Sequence, residues 1–459
     1  MVFSSVLFLF YFMPVAFTVY YLAPRRFKNL TLLILSLIFY SWGEVRYFPI
    51  MLSSIIVDYM ASNGIERSGD NKRKRRMWLM LSVMFNLGML GFFKYTGFFV
   101  SNINAITGLN ISAPELTLPL GISFYTFQTM SYTIDVYRGN VKAEHDIIDF
   151  GAFVVLFPQL IAGPIVRYSD IQHELRNRVT DLGQISSGVK YFILGLGSKV
   201  LIANNAGALW TEISGTGFER ISTPLAWLAI LAYTLQIYFD FSGYSLMAIG
   251  LGRMLGFEFP KNFDFPYIAK TMTEFWRRWH MTLGSWFKEY LYFPLGGSRK
   301  GKKRTFINLF IVWAATGFWH GASWNFVLWG LYFFVLLILE KNFIGKTLNA
   351  HPILARCYMI PLIMISWAIF EISDFSQMGL FLSRLFAFEG GIDWGYYLQN
   401  YAVTLIIGIL LSTPVLKKPF EKLDKTAPWA ALPVYALLLV VSIAYLVDAT
   451  YNPFLYFRF

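Results

Sequence analysis

Apolar stretches of about 17 to 25 residues recur from one end of this chain to the other, separated by short polar loops. At a rise of 1.5 Å per residue, that is the length an α-helix needs to cross the hydrocarbon core of a bilayer. None of the stretches alternates with a period of two, so a lipid-facing β-barrel is not expected. Within hydrocarbon, a lone segment satisfies its own backbone N–H and C=O groups only as a helix. The expectation is an all-α polytopic membrane protein: about 11 to 14 spanning helices with interfacial or re-entrant helices, forming one integral-membrane unit over residues 1–459. Composition agrees, with 56% hydrophobic and only 14% charged residues, outside the range of soluble domains. Aromatic residues make up 19%, more than two interfacial belts need, so many rings must pack between helices or line a cavity.

The charge pattern sets an expected topology. A net charge of +12 can signal nucleic-acid binding, but here the basic residues sit in short loops between apolar stretches. The positive-inside rule explains them there, and no nucleic-acid partner is expected. Arg67 with residues 72–76, residues 299–304, and Lys417, Lys418, Lys422 and Lys425 mark three cytoplasmic loops. Residues 2–21 lack a basic n-region and a cleavage site and read as a retained span. A hairpin over 29–62 follows, then spans near 77–93, 95–106, 119–137, 147–166, 186–203 and 225–250. Spans near 305–320, 323–340, 352–371, 397–415 and 429–449 complete the set and put both termini outside the cytoplasm. Residues 373–400 are left as an extracytoplasmic cap. Cys357 is the single cysteine, which excludes an intrachain disulfide and a cysteine-based structural metal site. It reads as a small buried hydrophobe near a helix start.

Residues 268–291 carry too many charges for a lipid-facing span. At 100° per residue, Met272, Phe275, Trp276, Trp279, Leu283, Trp286, Phe287 and Tyr290 share one face, while Glu274, Arg278, Ser285, Lys288 and Glu289 share the other. One amphipathic helix is expected, interfacial or re-entrant, with His280 on the seam beside Trp276 and Arg277.

Polar groups at membrane depth are the candidates for chemistry, since a charge at the bilayer centre costs about 2.5 to 3.5 kcal/mol unless compensated. His320 lies in the string FWHGASW at 318–324, between two apolar stretches, and His280 lies 40 residues earlier; a tryptophan precedes each. Neither has a second histidine or a carboxylate at i+3 or i+4, so a metal site is not expected. No Gly-x-Ser-x-Gly elbow supports a serine hydrolase. A general base at His320, with His280 assisting, needs no further motif. Asp240 is expected to face the interior and pair with a cation or a tyrosine hydroxyl, and Gln159 lies in a second polar-containing apolar stretch. Arg167 reads as an interfacial anchor at a helix end.

Six strings occur in order: GISFYTFQ at 121–128, IDVYR at 134–138, FPQLIAGPI at 157–165, YFDFSGY at 238–244, FWRRWH at 275–280 and FWHGASW at 318–324. With the opening MVFSS, they resemble the membrane-bound O-acyltransferase superfamily, and within it the branch of bacterial alginate O-acetylases and peptidoglycan O-acetyltransferases. The resemblance implies a helical fold around a central tunnel, His320 as the catalytic histidine and His280 as the second histidine of the site. Asp240, Trp279, Trp319, Ser323, Gln159 and Arg277 are then candidates to line the tunnel or touch substrate. It implies no tightly bound cofactor, and an acyl thioester such as acetyl-CoA entering from the cytoplasm. The acyl group would pass to an extracytoplasmic polysaccharide or peptidoglycan through an SGNH-hydrolase-like acetyltransferase or a polymer-synthesis complex. A bacterial cytoplasmic membrane is the implied location. The ending NPFLYFRF at 452–459 resembles the C-terminal motif of the small acyl-relay protein of teichoic-acid D-alanylation, which makes Tyr456 a candidate acyl relay, with an aromatic interface anchor as the other reading. Two alternatives stay open: a D-alanyl transferase of teichoic acid type, and a proton-coupled saccharide transporter using His280, Asp240 and His320.

Overall fold

The structure, a computed structural model, describes residues 1–448 except 115 and 162, together with residue 455. Regular structure among the described residues is helical throughout, with no strand. Among the described residues, seven helical stretches are long and apolar enough to cross a membrane: Arg25–Arg67, Lys72–Thr107, Leu182–Gly215, Thr223–Met254, Trp324–Ala350, Pro352–Glu371 and Pro428–Asp448. The protein is an all-α, multi-pass membrane protein.

Several of these stretches are jointed. Arg25–Arg67, at 43 residues, holds two helices, Lys28–Glu44 and Phe48–Arg67, divided by a 3₁₀ turn at Val45–Tyr47. Lys72–Thr107 contains a π turn at Gly91–Tyr95, and Leu182–Gly215 contains one at Ser198–Ala203. Such turns insert an extra residue into the helix and frequently occur at functional sites.

The described chain packs as two compact units, residues 1–192 with 247–260, and residues 193–246 with 261–459. In the first, Asp58 is fully buried and held by three neighbours: Asn86 Nδ2 at 2.8 Å, the Thr133 hydroxyl at 3.2 Å, and the Ser82 hydroxyl. A buried carboxylate persists only with such partners. In the second, the core mixes aliphatic residues with an aromatic group that includes Trp279, Trp329, Trp367, Phe275 and Phe333.

The structure corrects three expectations. The span expected over 147–166 is broken into Ile147–Val155 and Phe157–Leu160. Pro158 sits in the first turn of the second helix, where its missing N–H costs little, and the N–H of Phe157 donates to Ser36 Oγ at 3.1 Å. Residues 268–291 form not one helix but Met272–Arg278 and Met281–Phe287, followed by a π turn at Lys288–Tyr292. The two faces nonetheless survive, because Met272, Phe275, Trp279, Leu283, Trp286, Phe287 and Tyr290 are all buried. Residues 373–400, which the sequence leaves without a span, are mostly helical, with Phe375–Phe386 capped by Asp374, whose carboxylate accepts from Gln377 N at 2.8 Å. Cys357 is exposed, because the buried stripe of its helix runs through Ala355, Met359 and Ile363.

Candidate active site

Both histidines lie in the second unit, at places where helices stop. The helix Met272–Arg278 starts on Thr271, whose hydroxyl accepts from Glu274 N at 3.1 Å. The buried Glu340 carboxylate adds a second cap, accepting from Met272 N at 2.6 Å and Thr273 N at 3.3 Å, where the helix dipole favours negative charge. The helix ends because residues 278–281 pair with the preceding loop: Asp264 N donates to Arg278 O, and Met281 N donates to Asn262 O, both at 2.9 Å. Trp279 is extended and His280 is left-handed, at φ 43° and ψ 53°. For a non-glycine residue that conformation costs about 1 to 3 kcal/mol and persists only where the surroundings impose it.

His280 is 1% exposed. Its Nδ1 lies 3.1 Å from Asn262 Oδ1, and among the described residues its Nε2 has no hydrogen-bond partner. Phe241 meets the imidazole edge-on with ring centroids 4.7 Å apart. Burial, with no charged neighbour to oppose it, pushes the imidazole down to about 3, so the ring is neutral at ordinary pH.

His320 is the last residue of the helix Gly301–His320, and Gly321 continues in extended conformation. A Cβ on Gly321 would sit 2.1 Å from the Phe326 ring, so only glycine lets the chain turn there. Gly317 and Gly330 bring this helix against Trp324–Leu339: a Cβ at either position would lie 2.4 Å from a carbonyl oxygen of the other helix. That close crossing sets the His320 ring against Trp329 at 4.9 Å and near Phe370 at 5.4 Å. The carbonyl end of a helix also favours the positive charge an imidazole gains when it takes a proton.

Trp319 joins the two histidines, since its ring centroid lies 5.0 Å from His320 and 6.1 Å from His280. Two buried imidazoles therefore flank one indole. Ser323, three residues after His320, is half-buried at the start of the helix Trp324–Leu339. Trp279 is core, packed on Phe263, Phe275 and Trp367. Arg277 is exposed. Gln159 belongs to the first unit, where its Nε2 donates to Phe153 O at 2.6 Å.

Asp240 meets the expectation of a cationic partner. Its carboxylate pairs with Lys199 Nζ at 2.7 Å and accepts from Leu455 N at 2.9 Å, and the lysine also donates to Asn204 Oδ1 at 2.8 Å. Lys199 sits in the π turn Ser198–Ala203, within an apolar run where sequence reasoning passed over it. Tyr456 lies outside the described residues. A cavity of about 550 Å³ opens at the start of the Gly301–His320 helix, lined by Lys302, Lys303, Lys341 and Phe306. The helix rise puts its lining, from Lys302 to Leu309, about 16 to 27 Å from His320, toward the other end of that helix. Among the described residues, no three His, Cys, Asp or Glu side chains gather to hold a metal.

Asn262, which sequence reasoning missed, is the central polar residue beside His280. Only its position in a short loop of mixed polarity, within KNFDF at 261–265, sets it apart.

The model of the membrane-bound O-acyltransferase family matches residues 141–370, a stretch that contains both histidines and Asn262. The chain belongs to that family. Its relatives include a Pseudomonas putida protein described as a probable alginate O-acetylase, 38% identical with both chains covered in full. A Helicobacter pylori peptidoglycan O-acetyltransferase is 36% identical over 81% of this chain and 77% of its own. A Streptococcus thermophilus teichoic acid D-alanyltransferase is 29% identical over 50% of this chain and 58% of its own. This member of the family is an O-acyltransferase.

Proposed function

We propose that the protein moves an acetyl group from a cytoplasmic thioester, acetyl-CoA, to a hydroxyl that serves O-acetylation of an extracytoplasmic polymer. The single observation that carries this reading is the pair of buried imidazoles on either side of Trp319. His320 takes the proton from the acceptor hydroxyl as its oxygen attacks the thioester carbonyl. The tetrahedral intermediate collapses, the C–S bond breaks, and the thiolate leaves with the proton that His320 held. The enzyme needs no nucleophile of its own and no tightly bound cofactor. His280 orients the reacting groups. Tyr456 is the candidate first acceptor, passing the acetyl group to an exported partner of the SGNH-hydrolase type or a polymer-synthesis complex. Alginate and peptidoglycan, named for the two relatives above, are the polymers to test first, with the enzyme in a bacterial cytoplasmic membrane and both termini outside.

Inside-out vesicles supplied with radiolabelled acetyl-CoA test the donor and the direction. Label accumulating on protein or polymer within the vesicle lumen is the expected result. Label that stays on the donor, while a D-alanyl carrier protein supports transfer, would move the enzyme to the D-alanyl branch.

A further inference from the structure

The hydrogen bonds around Asn262 decide which nitrogen of His280 carries its proton. Asn262 is 1% exposed, and its carboxamide makes contacts at both ends. Its Oδ1 lies 3.2 Å from Thr282 N, 2.9 Å from Thr282 Oγ1 and 3.1 Å from His280 Nδ1, while its Nδ2 lies 3.2 Å from Ser245 Oγ. A backbone N–H can only donate, so the atom facing Thr282 N must be the carbonyl oxygen, and the amide cannot be turned over. That same oxygen faces His280, so Nδ1 must be the protonated nitrogen. In a neutral imidazole the other nitrogen then carries only a lone pair.

We infer that Asn262 is a positioning residue that locks His280 as the Nδ1–H tautomer, presenting Nε2 as a hydrogen-bond acceptor for the acceptor hydroxyl. The inference rests on His280 belonging to the reaction. It assigns the residue a role that the histidine pair alone leaves open. An Nε2–H would stabilise the oxyanion of the tetrahedral intermediate, as the donors of an oxyanion hole do. A bare Nε2 cannot. It can only accept, so before attack it takes the hydroxyl's single hydrogen bond and holds the oxygen toward the thioester; the O–H then turns to His320, which takes the proton as the attack proceeds. Among the described residues, Phe241 and Trp319 supply the ring's aromatic neighbours, while Lys261 and Asp264 of the adjoining loop pair with each other and Arg278 of the preceding helix pairs with Asp264 and Glu274. The left-handed backbone at His280 fits this role, because it turns the ring back onto the 261–265 loop.

The test has two parts. Nitrogen NMR of ¹⁵N-histidine-labelled protein in lipid, with His280→Ala to assign the signal, should show Nδ1 protonated and Nε2 bare across pH 5 to 8. Asn262→Leu should shift the population toward Nε2–H. In the transfer assay, Asn262→Asp keeps an acceptor for Nδ1–H but adds a negative charge that favours the imidazolium, which protonates Nε2. Relative to wild type its activity should fall as the pH drops from 8 to 5 and recover as it rises, by about tenfold for each unit by which the raised His280 pKa exceeds the assay pH. A wild-type spectrum with Nε2 protonated, or an Asn262→Asp pH profile superimposable on wild type, would overturn the inference. The NMR result stands apart from catalysis: if His280→Ala transfers acetyl normally, the functional reading of His280 fails while the tautomer is still measured.

Discussion

The two histidines are buried to similar degrees and meet the same indole, yet they are held in different ways. His280 sits at a break between two seven-residue helices, its backbone forced left-handed and its ring bonded to an asparagine fixed by three further contacts. His320 ends a 20-residue helix: two glycines let helices cross closely there, a third lets the chain turn, and Trp319, Trp329 and Phe370 pack against the ring. A hydrogen-bonded imidazole keeps one tautomer and one orientation, which suits a group that orients a substrate. An imidazole at a helix carbonyl end suits one that must gain and lose a proton.

That contrast can be broken from either side. The largest effect is expected for His320→Ala: loss of the base should lower the rate about 10² to 10⁴-fold, measured as labelled acetyl transferred per enzyme, with thermal stability little changed. Next in size is Lys199→Met, which touches neither histidine but strands the Asp240 carboxylate. Removing one member of a buried ion pair costs about 3 to 5 kcal/mol, so a lower melting temperature in detergent should appear, with Asp240→Asn in the same chain restoring much of it. Gly321→Ala attacks the His320 side. Its methyl group collides with Phe326, and overpacking of this kind costs about 1 to 3 kcal/mol, so both stability and transfer should drop. Thr282→Val attacks the hydrogen-bonded side most gently. It removes one hydroxyl bond to Asn262, worth about 0.5 to 1.5 kcal/mol, and should lower kcat several-fold with the melting temperature nearly unchanged.

Much of this architecture is legible in the sequence. Runs of spanning length identify an all-α membrane protein because lipid leaves the backbone so few options. His320 and His280 stand out because titratable groups are costly at such depth, and Asp240 does find the cation its burial requires. The break at His280 was hidden, because residues 268–283 contain neither glycine nor proline and the helical period runs straight through it. The pairing with residues 261–265 imposes that break, and such tertiary contacts leave no periodic trace. Asn262 was missed for the same reason, since its importance comes from what it touches. Lys199 was absorbed into an apolar run, whereas Pro158 was a visible breaker that the length of its run overrode.

The central claim is that His320 is the base for transfer. Its most direct test is single-turnover acetyl transfer by purified protein in lipid nanodiscs, with radiolabelled acetyl-CoA, comparing wild type with His320→Ala at matched fold by circular dichroism. The account predicts that donor still binds while transfer falls at least a hundredfold, within the range for loss of a general base. A His320→Ala protein that transfers at the wild-type rate would contradict it.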